Sequence, residues 1–491
     1  MNRLSFANLA QASPTGDVQL PAAGAADQTI GILHFGIGAF HRAHQALYTE
    51  EAAAATGERR WGICGVTQRS PAVQRQLLPQ DGLYGVLERS PGRDRLRIVG
   101  AVREVVFPTD QAEVLDARFD DPGVSVVTLT VTEKGYRRDA RGQLDLTDPL
   151  VAHDLAGGPP RSAVGRLARG LQRRSRGSGA PVTVLCCDNL NANGRVLARL
   201  VADFCQALPG AEGAALAGWI AANVTYPCSM VDRIVPATTA ADRAFAESML
   251  GLVDDGLVVA EPFRQWVIED DFAADRPAWE VAGAELTKDV APYELMKLRI
   301  LNGAHSTLAY LGALSGYATI VETVADDTLL SVARNLITQD AIPVLEPPDG
   351  TDLAAYGEQV LGRFANPALA HRTVQIAMDG SQKLPLRLLG TVRDNLRMGR
   401  HPRWAAYGVA AWMAYVASPG ARNGMPLPID DPLAERLAGG ARGRTDPAAI
   451  VDVLLGQTEI FGEDLPQVDW FRQELVSDVR ELLVATGTDS R

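Results

Sequence analysis

The chain has 491 residues, of which 46% are hydrophobic and 22% charged, and its formal net charge is −12. This length and composition predict a large globular protein with two domains, each able to bury a substantial core. The acidic balance argues against nucleic acid or an anionic membrane as the main partner, and no apolar run approaches the roughly 20 residues of a membrane span.

The cysteine and histidine pattern predicts a cytoplasmic protein without a metal site. The five cysteines show no paired spacing, which favours a reducing compartment. His41 and His44 lie three residues apart, but no nearby carboxylate or cysteine completes a tetrahedral set. The first six residues are not followed by the apolar core of a signal peptide.

The first predicted element is a buried parallel strand at residues 29–35. It is followed by Gly36-Ile37-Gly38-Ala39-Phe40 and by a helix that continues through Tyr48. A strand, a Gly-x-Gly turn and a helix start form a phosphate-binding corner, because the glycines let backbone N–H groups approach a pyrophosphate. His41 stands where the usual fingerprint has a third glycine, and an ordinary tight strand–helix turn is the alternative interpretation.

Three more apolar runs, at residues 61–66, 124–131 and 182–187, are predicted as strands, and residues 162–172 as a helix. Strands that alternate with helices are typical of a parallel sheet with helices on both faces. The first half of the chain is therefore predicted to be an α/β, Rossmann-like, doubly wound domain. Its strand order does not follow from the sequence.

The pattern changes near residue 290, where long segments with helical periodicity begin. These segments cover residues 293–314, 325–338, 404–417 and 468–485, and Gly408 interrupts the third. Residues rich in proline and glycine at 342–351 and 418–428 are predicted as loops. We therefore predict a dinucleotide-binding domain at residues 1–288 and a mostly α-helical, substrate-binding and catalytic domain at 289–491.

Three chemically capable side chains, Lys297, Asn302 and His305, stand within the first of these apolar helices. At about 100° per residue, Asn302 is expected about 140° from Lys297 around the helix and His305 about 80°. Burial disfavours a charged lysine, which makes Lys297 a candidate general base, and Asn302 a candidate donor to an oxyanion. The alternative is a lysine that reaches solvent and a histidine satisfied within the core.

Five ordered motifs, found between about Ile32 and Pro466, resemble the polyol-specific long-chain dehydrogenases, which form the mannitol dehydrogenase family. They are the glycine turn at 36–40, Cys187-Asp188-Asn189-Leu190-Asn191-Ala192-Asn193-Gly194, Tyr226-Pro227-Cys228-Ser229-Met230-Val231-Asp232-Arg233-Ile234, the segment around Lys297, and Asp379-Gly380-Ser381-Gln382-Lys383-Leu384-Pro385. The resemblance implies a metal-independent oxidoreductase that transfers a hydride between nicotinamide and a secondary alcohol.

The resemblance also implies the catalytic roles. Lys297 is the general base, Asn193 and Asn302 bind the oxyanion, and His305 bonds or orients the reacting oxygen. The residues alone leave simpler interpretations open, because an asparagine before glycine is common in turns. By the same resemblance Asp232 binds a substrate hydroxyl, whereas the residues alone suggest that Asp232 and Arg233 form an ion pair or a helix cap.

Glu294 precedes Lys297 by three residues, so the two side chains are neighbours on a helix. We interpret Glu294 as a proton relay from Lys297 to solvent. The alternative is a surface ion pair.

The motif around residues 371–385 resembles the fructuronate reductase (D-mannonate oxidoreductase) branch, as do Val131-Thr132-Glu133-Lys134-Gly135-Tyr136 and the glycine after Asn302. Mannitol 2-dehydrogenases tend to carry an arginine where this chain has Gln375. A hexuronate brings a carboxylate, which Arg372 and Lys383 are predicted to bind by charge-assisted hydrogen bonds. The alternative is that both residues are solvated loop charges. The predicted reaction is D-mannonate to D-fructuronate, with D-mannitol to D-fructose or another polyol as the alternative.

The resemblance favours NAD as the cofactor and leaves NADP possible. An NAD site usually offers an acid after the second strand, but here Thr67-Gln68-Arg69-Ser70 follows and the next acid is Asp81. The expected partner is a small sugar acid or polyol, and the expected assembly is a monomer or a small homo-oligomer. The rivals are a catalytically idle dinucleotide-binding protein and a decarboxylating or CoA-linked dehydrogenase.

Overall fold

The computed structural model describes residues 2–139, 141–368 and 371–485. The chain divides into two compact units, Met1–Val290 and Ala291–Arg491. In chain order the strands are β1 (Asp17–Gln19), β2 (Ile30–Phe35), β3 (Gly62–Val66), β4 (Tyr84–Glu88), β5 (Arg95–Val99), β6 (Val102–Val106), β7 (Val126–Leu129), β8 (Val182–Cys186), β9 (Val224–Thr225), β10 (Ser229–Asp232), β11 (Val258–Ala260), β12 (Gln265–Glu269) and β13 (Glu285–Thr287).

The α-helices of the first unit pack around these strands. They are α1 (Ala39–Ala43), α2 (Gln45–Thr56), α3 (Ala72–Leu77), α4 (Ala112–Asp120), α5 (Pro149–Leu155), α6 (Ala163–Arg176), α7 (Asn193–Ala207), α8 (Glu212–Asn223) and α9 (Ala240–Leu250).

The central sheet of the first unit is parallel, with the strand order β6-β3-β2-β7-β8-β9. Numbered by their order in the chain, these strands run third, second, first, fourth, fifth, sixth, which is the Rossmann order. β2, β3, β7 and β8 are buried almost throughout, because helices cover both faces of such a sheet. The Rossmann-like fold predicted for this half of the chain is confirmed.

Two smaller sheets complete the first unit. One has the order β1-β5-β4-β11 and the other β10-β12-β13, and each contains an antiparallel pair. Neither sheet was predicted from the sequence. Arg95-Leu96-Arg97-Ile98-Val99 does alternate polar and apolar residues over its first four positions, a pattern typical of a half-buried strand.

The second unit is built from helices, as predicted. They are α10 (Ala291–Met296), α11 (Gly303–Ser315), α12 (Ile320–Val324), α13 (Asp327–Asn335), α14 (Leu353–Phe364), α15 (Thr373–Ile376), α16 (Gly380–Leu384), α17 (Gly390–Arg397), α18 (Arg403–Ala417), α19 (Ala434–Ala441), α20 (Pro447–Leu455), α21 (Thr458–Phe461) and α22 (Asp469–Ala485).

Helix α18 runs through the middle of this unit and is buried on every side from Ala405 to Ala417, except at Tyr407. Gly408 does not break the helix. A Cβ atom there would lie 2.6 Å from Thr307 Oγ1 of α11, so the glycine allows the two helices to approach closely. No helix within the described ranges is long and apolar enough to cross a membrane.

Candidate active site

The Gly-x-Gly turn follows β2 directly, as predicted. Gly36 has a φ of +95°, and a Cβ atom there would lie 2.1 Å from the Thr130 carbonyl oxygen. The Gly38 N–H donates to the Gly36 carbonyl at 2.6 Å, and helix α1 begins at the next residue. Position 36 therefore requires glycine both for its backbone conformation and for its packing.

Gly38 is different, because the space beside it is open. A Cβ atom there would have a single neighbour within 4 Å among the described atoms, the Gly36 carbonyl oxygen at 3.8 Å. Ile37 between the glycines is buried, and a Cβ atom on Gly65 of β3 would lie 2.2 Å from its Cδ1. The buried Ile37 side chain therefore holds the turn against β3. The open space beside Gly38 leaves room for a pyrophosphate, so these residues fit a dinucleotide.

The buried His34 side chain supports the glycine turn through Thr130. Thr130 Oγ1 donates to the Gly36 carbonyl at 2.8 Å and lies 2.9 Å from His34 Nε2, while His34 Nδ1 lies 2.7 Å from Thr128 Oγ1. Because the Thr130 proton is used on Gly36, His34 Nε2 carries the hydrogen in this bond. Burial lowers the pKa of His34 to about 3, so the ring is neutral.

His41, in the position of the missing third glycine, stacks on His34 with ring centroids 3.3 Å apart. Burial lowers the pKa of His41 well below its usual range. The departure from the glycine fingerprint therefore has a structural reason, which is a stacked pair of neutral imidazoles under the turn. Phe40 stacks in turn on His44 at 5.0 Å.

The end of β3, where a ribose-binding acid is usual, carries Gln68 and Arg69. Arg69 is exposed. Arg166 donates from Nη1 to Gln68 Oε1 at 2.8 Å, whereas Gln68 Nε2 is buried with no hydrogen-bond partner among the described residues. The end of β3 therefore carries glutamine and arginine side chains where a ribose-binding acid is usual.

Asn193 lies at the start of α7 and is fully buried. Its amide Nδ2 donates to the Asp188 carbonyl at 3.0 Å and to the Ser229 carbonyl at 2.7 Å, and its Oδ1 accepts from the Ser229 N–H at 3.0 Å. Both amide hydrogens are thus used on the backbone. The oxyanion role predicted for Asn193 requires one of these two bonds to be given up.

Asp232 and Arg233 stand at the end of β10, and both are buried. Arg233 forms a buried ion pair with Glu88 at 2.6 Å and donates from Nε to the Glu261 carbonyl at 2.9 Å. Arg233 therefore has a structural role. Asp232, the predicted hydroxyl ligand, is 5% exposed.

In the helical unit the chain makes a π-helical turn over Lys297–Asn302, between α10 and α11. The Gly303 N–H donates to the Leu298 carbonyl, five residues earlier. A π turn brings residues five apart close to one side of the helix, so the angle of about 140° expected between Lys297 and Asn302 for an α-helix is wrong. Lys297 is 8% exposed and Asn302 is partly buried.

His305 lies in α11, next to Ser306, whose hydroxyl accepts a hydrogen bond from Arg387 at 3.0 Å. Its ring stacks on Phe364 at 4.8 Å and lies 5.6 Å from the ring of His371, and its Nε2 is buried with no hydrogen-bond partner among the described residues. Burial lowers the pKa of His305 well below its usual range, and the charges of His371, Arg387, Lys383 and Arg363 add to this shift. These four side chains and His305 are called the His305 cluster below.

The predicted carboxylate ligands occupy different surroundings. Lys383 is partly buried, belongs to the His305 cluster, and donates to the Ile376 and Met378 carbonyls at 3.2 and 2.5 Å. Arg372 is exposed and caps α15 through its backbone. Sequence reasoning missed Arg387, whose Nη1 donates to Ser306 Oγ at 3.0 Å next to His305.

Glu294, the predicted proton relay, lies on α10, partly buried, three residues before Lys297. Within the part of the chain that the structure describes, no group of three or more His, Cys, Asp or Glu side chains is arranged to hold a metal ion.

The chain matches two family models, the mannitol dehydrogenase Rossmann domain over residues 30–281 and the mannitol dehydrogenase C-terminal domain over 289–483. It is 46% identical to D-mannonate oxidoreductase of Escherichia coli K12, over 89% of this chain and 90% of that protein. It is 37% identical to mannitol 2-dehydrogenase of Cereibacter sphaeroides, over 91% of this chain and 93% of that protein.

Among solved structures, the ternary complex of Pseudomonas fluorescens mannitol 2-dehydrogenase with NAD and D-mannitol is similar, with a TM-score of 0.85 and 36% identity. That match covers 99% of this chain and 98% of the other. With two family models over most of its length and relatives well above 30% identity, the chain belongs to the mannitol dehydrogenase family.

Proposed function

We propose that this chain is an NAD(P)-dependent oxidoreductase that interconverts the secondary alcohol of a hexonate and the corresponding ketone, D-mannonate and D-fructuronate. The observation that carries the proposal is the basic environment of His305. Arg387 donates to the adjacent Ser306 at 3.0 Å, and Lys383 and Arg363 act electrostatically on the His305 ring. A substrate carboxylate suits such a cluster, since guanidinium and ammonium groups bind carboxylates by charge-assisted hydrogen bonds. The E. coli D-mannonate oxidoreductase supports the same assignment.

For the cofactor, we assign residues 1–288 as the binding domain and the turn at Gly36, Ile37, Gly38, Ala39 and Phe40 as the pyrophosphate site. The open space beside Gly38 supports this assignment. A bound nicotinamide accepts the hydride that leaves the alcohol carbon. NAD is the first choice, and the exposed Arg69 leaves NADP as the second, because an arginine at this strand end can accept a 2′-phosphate.

For the chemistry, we assign residues 289–491 as the substrate domain and Lys297 as the base that takes the hydroxyl proton. Asn302 is proposed to donate a hydrogen bond to the oxygen as charge develops on it, and His305 to orient the same oxygen. The π turn supports a joint action of Lys297 and Asn302, because residues five apart are separated by a smaller angle in such a turn than in an α-helix. Asn193 remains the proposed second donor, and Asp232 the proposed ligand of a substrate hydroxyl.

The first test is NADH- and NADPH-dependent reduction of D-fructuronate beside D-fructose. We expect D-fructuronate to have the higher kcat/KM. Replacing Lys297 with Ala is expected to lower kcat by roughly 10²–10⁴, the usual contribution of a positioned base. A kcat that falls less than about tenfold in Lys297→Ala would overturn the mechanism, whichever sugar is preferred.

Other outcomes of this assay identify the rivals. Preference for D-fructose would assign the chain as a mannitol 2-dehydrogenase. Cofactor binding without turnover of any polyol or sugar acid would indicate an idle dinucleotide-binding protein, and release of carbon dioxide a decarboxylating enzyme.

The proposed relay has its own test. Replacing Glu294 with Gln removes a carboxylate that stands three residues before Lys297 on the helix. We expect proton release in the first turnover to slow while substrate KM stays within about twofold, because the relay moves a proton and binds nothing. Unchanged pre-steady-state proton kinetics would contradict the relay.

We further propose a metal-independent enzyme of the cytoplasm, a monomer or a small homo-oligomer. Prolonged dialysis against EDTA is expected to leave kcat within about 20%, because the proposed chemistry uses a lysine and not a Lewis acid. A loss of activity that Zn²⁺ or Mn²⁺ restores would contradict this proposal.

A further inference from the structure

Thr132, two residues beyond Thr130 in the segment after β7, has a strained backbone. Its φ is +69° and its ψ is 157°, a region that is essentially restricted to glycine. Threonine is branched at Cβ, so the conformation is costly, of the order of 1–3 kcal/mol. Strain of this kind persists only where other contacts enforce it.

The contacts that enforce it come from Asp188, at the end of β8. Its carboxylate accepts hydrogen bonds from the Val131 N–H at 2.9 Å and the Thr132 N–H at 3.0 Å. It also accepts from the Tyr136 hydroxyl at 2.7 Å. One carboxylate therefore binds both backbone N–H groups at the strained residue, and the hydroxyl of the buried Tyr136 holds the carboxylate in place.

The Asp188 carboxylate and the Val131 and Thr132 N–H groups that it binds form a clamp. This clamp lies at the point of the sheet where the strand order reverses. β2 and β7 are neighbours there, and Thr130 Oγ1 donates to the Gly36 carbonyl at 2.8 Å. In open α/β sheets a ligand binds outside the carboxyl ends of the strands at this reversal. The side chain of Thr132 is exposed there, two residues beyond the contact with the glycine turn.

We propose that Asp188 is a positioning residue for the dinucleotide, which holds the Val131–Thr132 segment in its strained form so that Thr132 contacts the bound cofactor. The proposal rests on the dinucleotide site of the proposed function. It also gives a role to two sequence motifs, the one around Val131–Tyr136 and the one around Cys187–Asn193. Asn193 joins the same network, since its amide donates to the Asp188 carbonyl.

The test compares two variants of the full-length protein. Asp188→Asn keeps one acceptor oxygen but places an N–H group against a backbone N–H, so it breaks the clamp. Tyr136→Phe is the matched control, because it removes one hydrogen bond from the same carboxylate and leaves both backbone bonds. The readouts are the Kd of NADH by fluorescence titration, the melting temperature, and KM for NADH and kcat.

We expect Asp188→Asn to raise the Kd and KM of NADH about tenfold, while kcat at saturating NADH changes less than threefold. Tyr136→Phe should lower the melting temperature but keep the Kd within about twofold. An unchanged Kd in Asp188→Asn, or an equal loss in Tyr136→Phe, overturns the proposal.

If Asp188→Asn does not fold, hydrogen–deuterium exchange of the wild-type protein decides the question. Saturating NADH should increase protection of peptides that contain Val131 and Thr132, and unchanged exchange there overturns the proposal. Turnover by the wild-type protein tests the proposed function separately. A protein that binds NADH but reduces no sugar would refute that function and leave the Asp188 experiment intact.

Discussion

At the scale of single residues, the two glycines of the turn after β2 serve different purposes. Gly36 has no room for a side chain and a φ of +95°, so the fold requires it. Gly38 has an ordinary φ of −82° and open space beside it, so the fold alone does not explain it. The proposed dinucleotide supplies a reason, because a glycine there lets a pyrophosphate approach the backbone closely.

This difference predicts opposite effects of the same substitution. Gly38→Ala should change the free energy of unfolding by less than about 0.5 kcal/mol but weaken NADH binding at least about tenfold, because the methyl group occupies the pyrophosphate space. Gly36→Ala should cost more than about 2 kcal/mol of stability, because its Cβ meets the Thr130 carbonyl. Denaturant unfolding and NADH titration of both variants check this, and unchanged NADH affinity in a folded Gly38→Ala protein would contradict it.

At the scale of secondary-structure elements, the helix that carries Lys297 shows what hydrophobic periodicity predicts and what it misses. The apolar pattern predicts one helix over residues 293–314, and the structure has α10, a π turn and α11 over Ala291–Ser315. The apolar pattern does not distinguish a continuous α-helix from one that contains a π turn, because the apolar residues stay buried in both. The π turn nevertheless changes which side chains share a side, so the geometry of the candidate site depends on it.

Gly408 and Gly218 give a prediction about helix packing. Gly408→Ala should destabilise the protein by roughly 1–3 kcal/mol, because the added methyl group meets Thr307 of α11 at 2.6 Å. Gly218→Ala, in the exposed part of α8, should stabilise it by about 0.5–1 kcal/mol, because no described atom lies within 4 Å of the added Cβ. Chemical denaturation measures the change in the free energy of unfolding for each variant. Changes of the same sign would contradict the packing argument at Gly408.

At the scale of the whole molecule, buried titratable groups couple folding to pH. Asp478 on α22 is 3% exposed, and burial, followed by the charge of Glu474, raises its pKa to about 7. An unfolded aspartate titrates near 4, so the folded state binds more protons between about pH 4 and 7. The contribution of Asp478 to stability is therefore complete below about pH 4 and is lost as the pH rises through 7.

Asp478→Asn should remove this dependence. At pH 8 the variant should be more stable than the wild-type protein by up to about 4 kcal/mol, and near pH 4 the two should be equally stable. Urea unfolding at pH 4.5, 6 and 8 gives the comparison. A constant difference between the two proteins across this range would contradict the titration of Asp478.

The sequence determined the parts of this protein that depend on local patterns. Continuous apolar runs predict the parallel strands, because helices bury both faces of such a sheet, and a period of 3.6 residues predicts the helical second half. The glycine turn could be located because it stands between a predicted strand and a predicted helix, and the segment around Lys297 because its polar side chains interrupt an apolar helix. Asp188 could also have been found, because a carboxylate directly after a buried strand lies at the carboxyl edge of the sheet.

Only the tertiary structure decided the contacts between distant parts of the chain. The strand order, the hydrogen bonds of Thr130 with Gly36 and His34, and the proximity of Arg363 and Arg387 to His305 all join residues far apart in sequence. Asp188 and Val131 are 57 positions apart, and the strain at Thr132 is visible only once they meet. Such contacts depend on which surfaces pack together, and no local pattern records that choice.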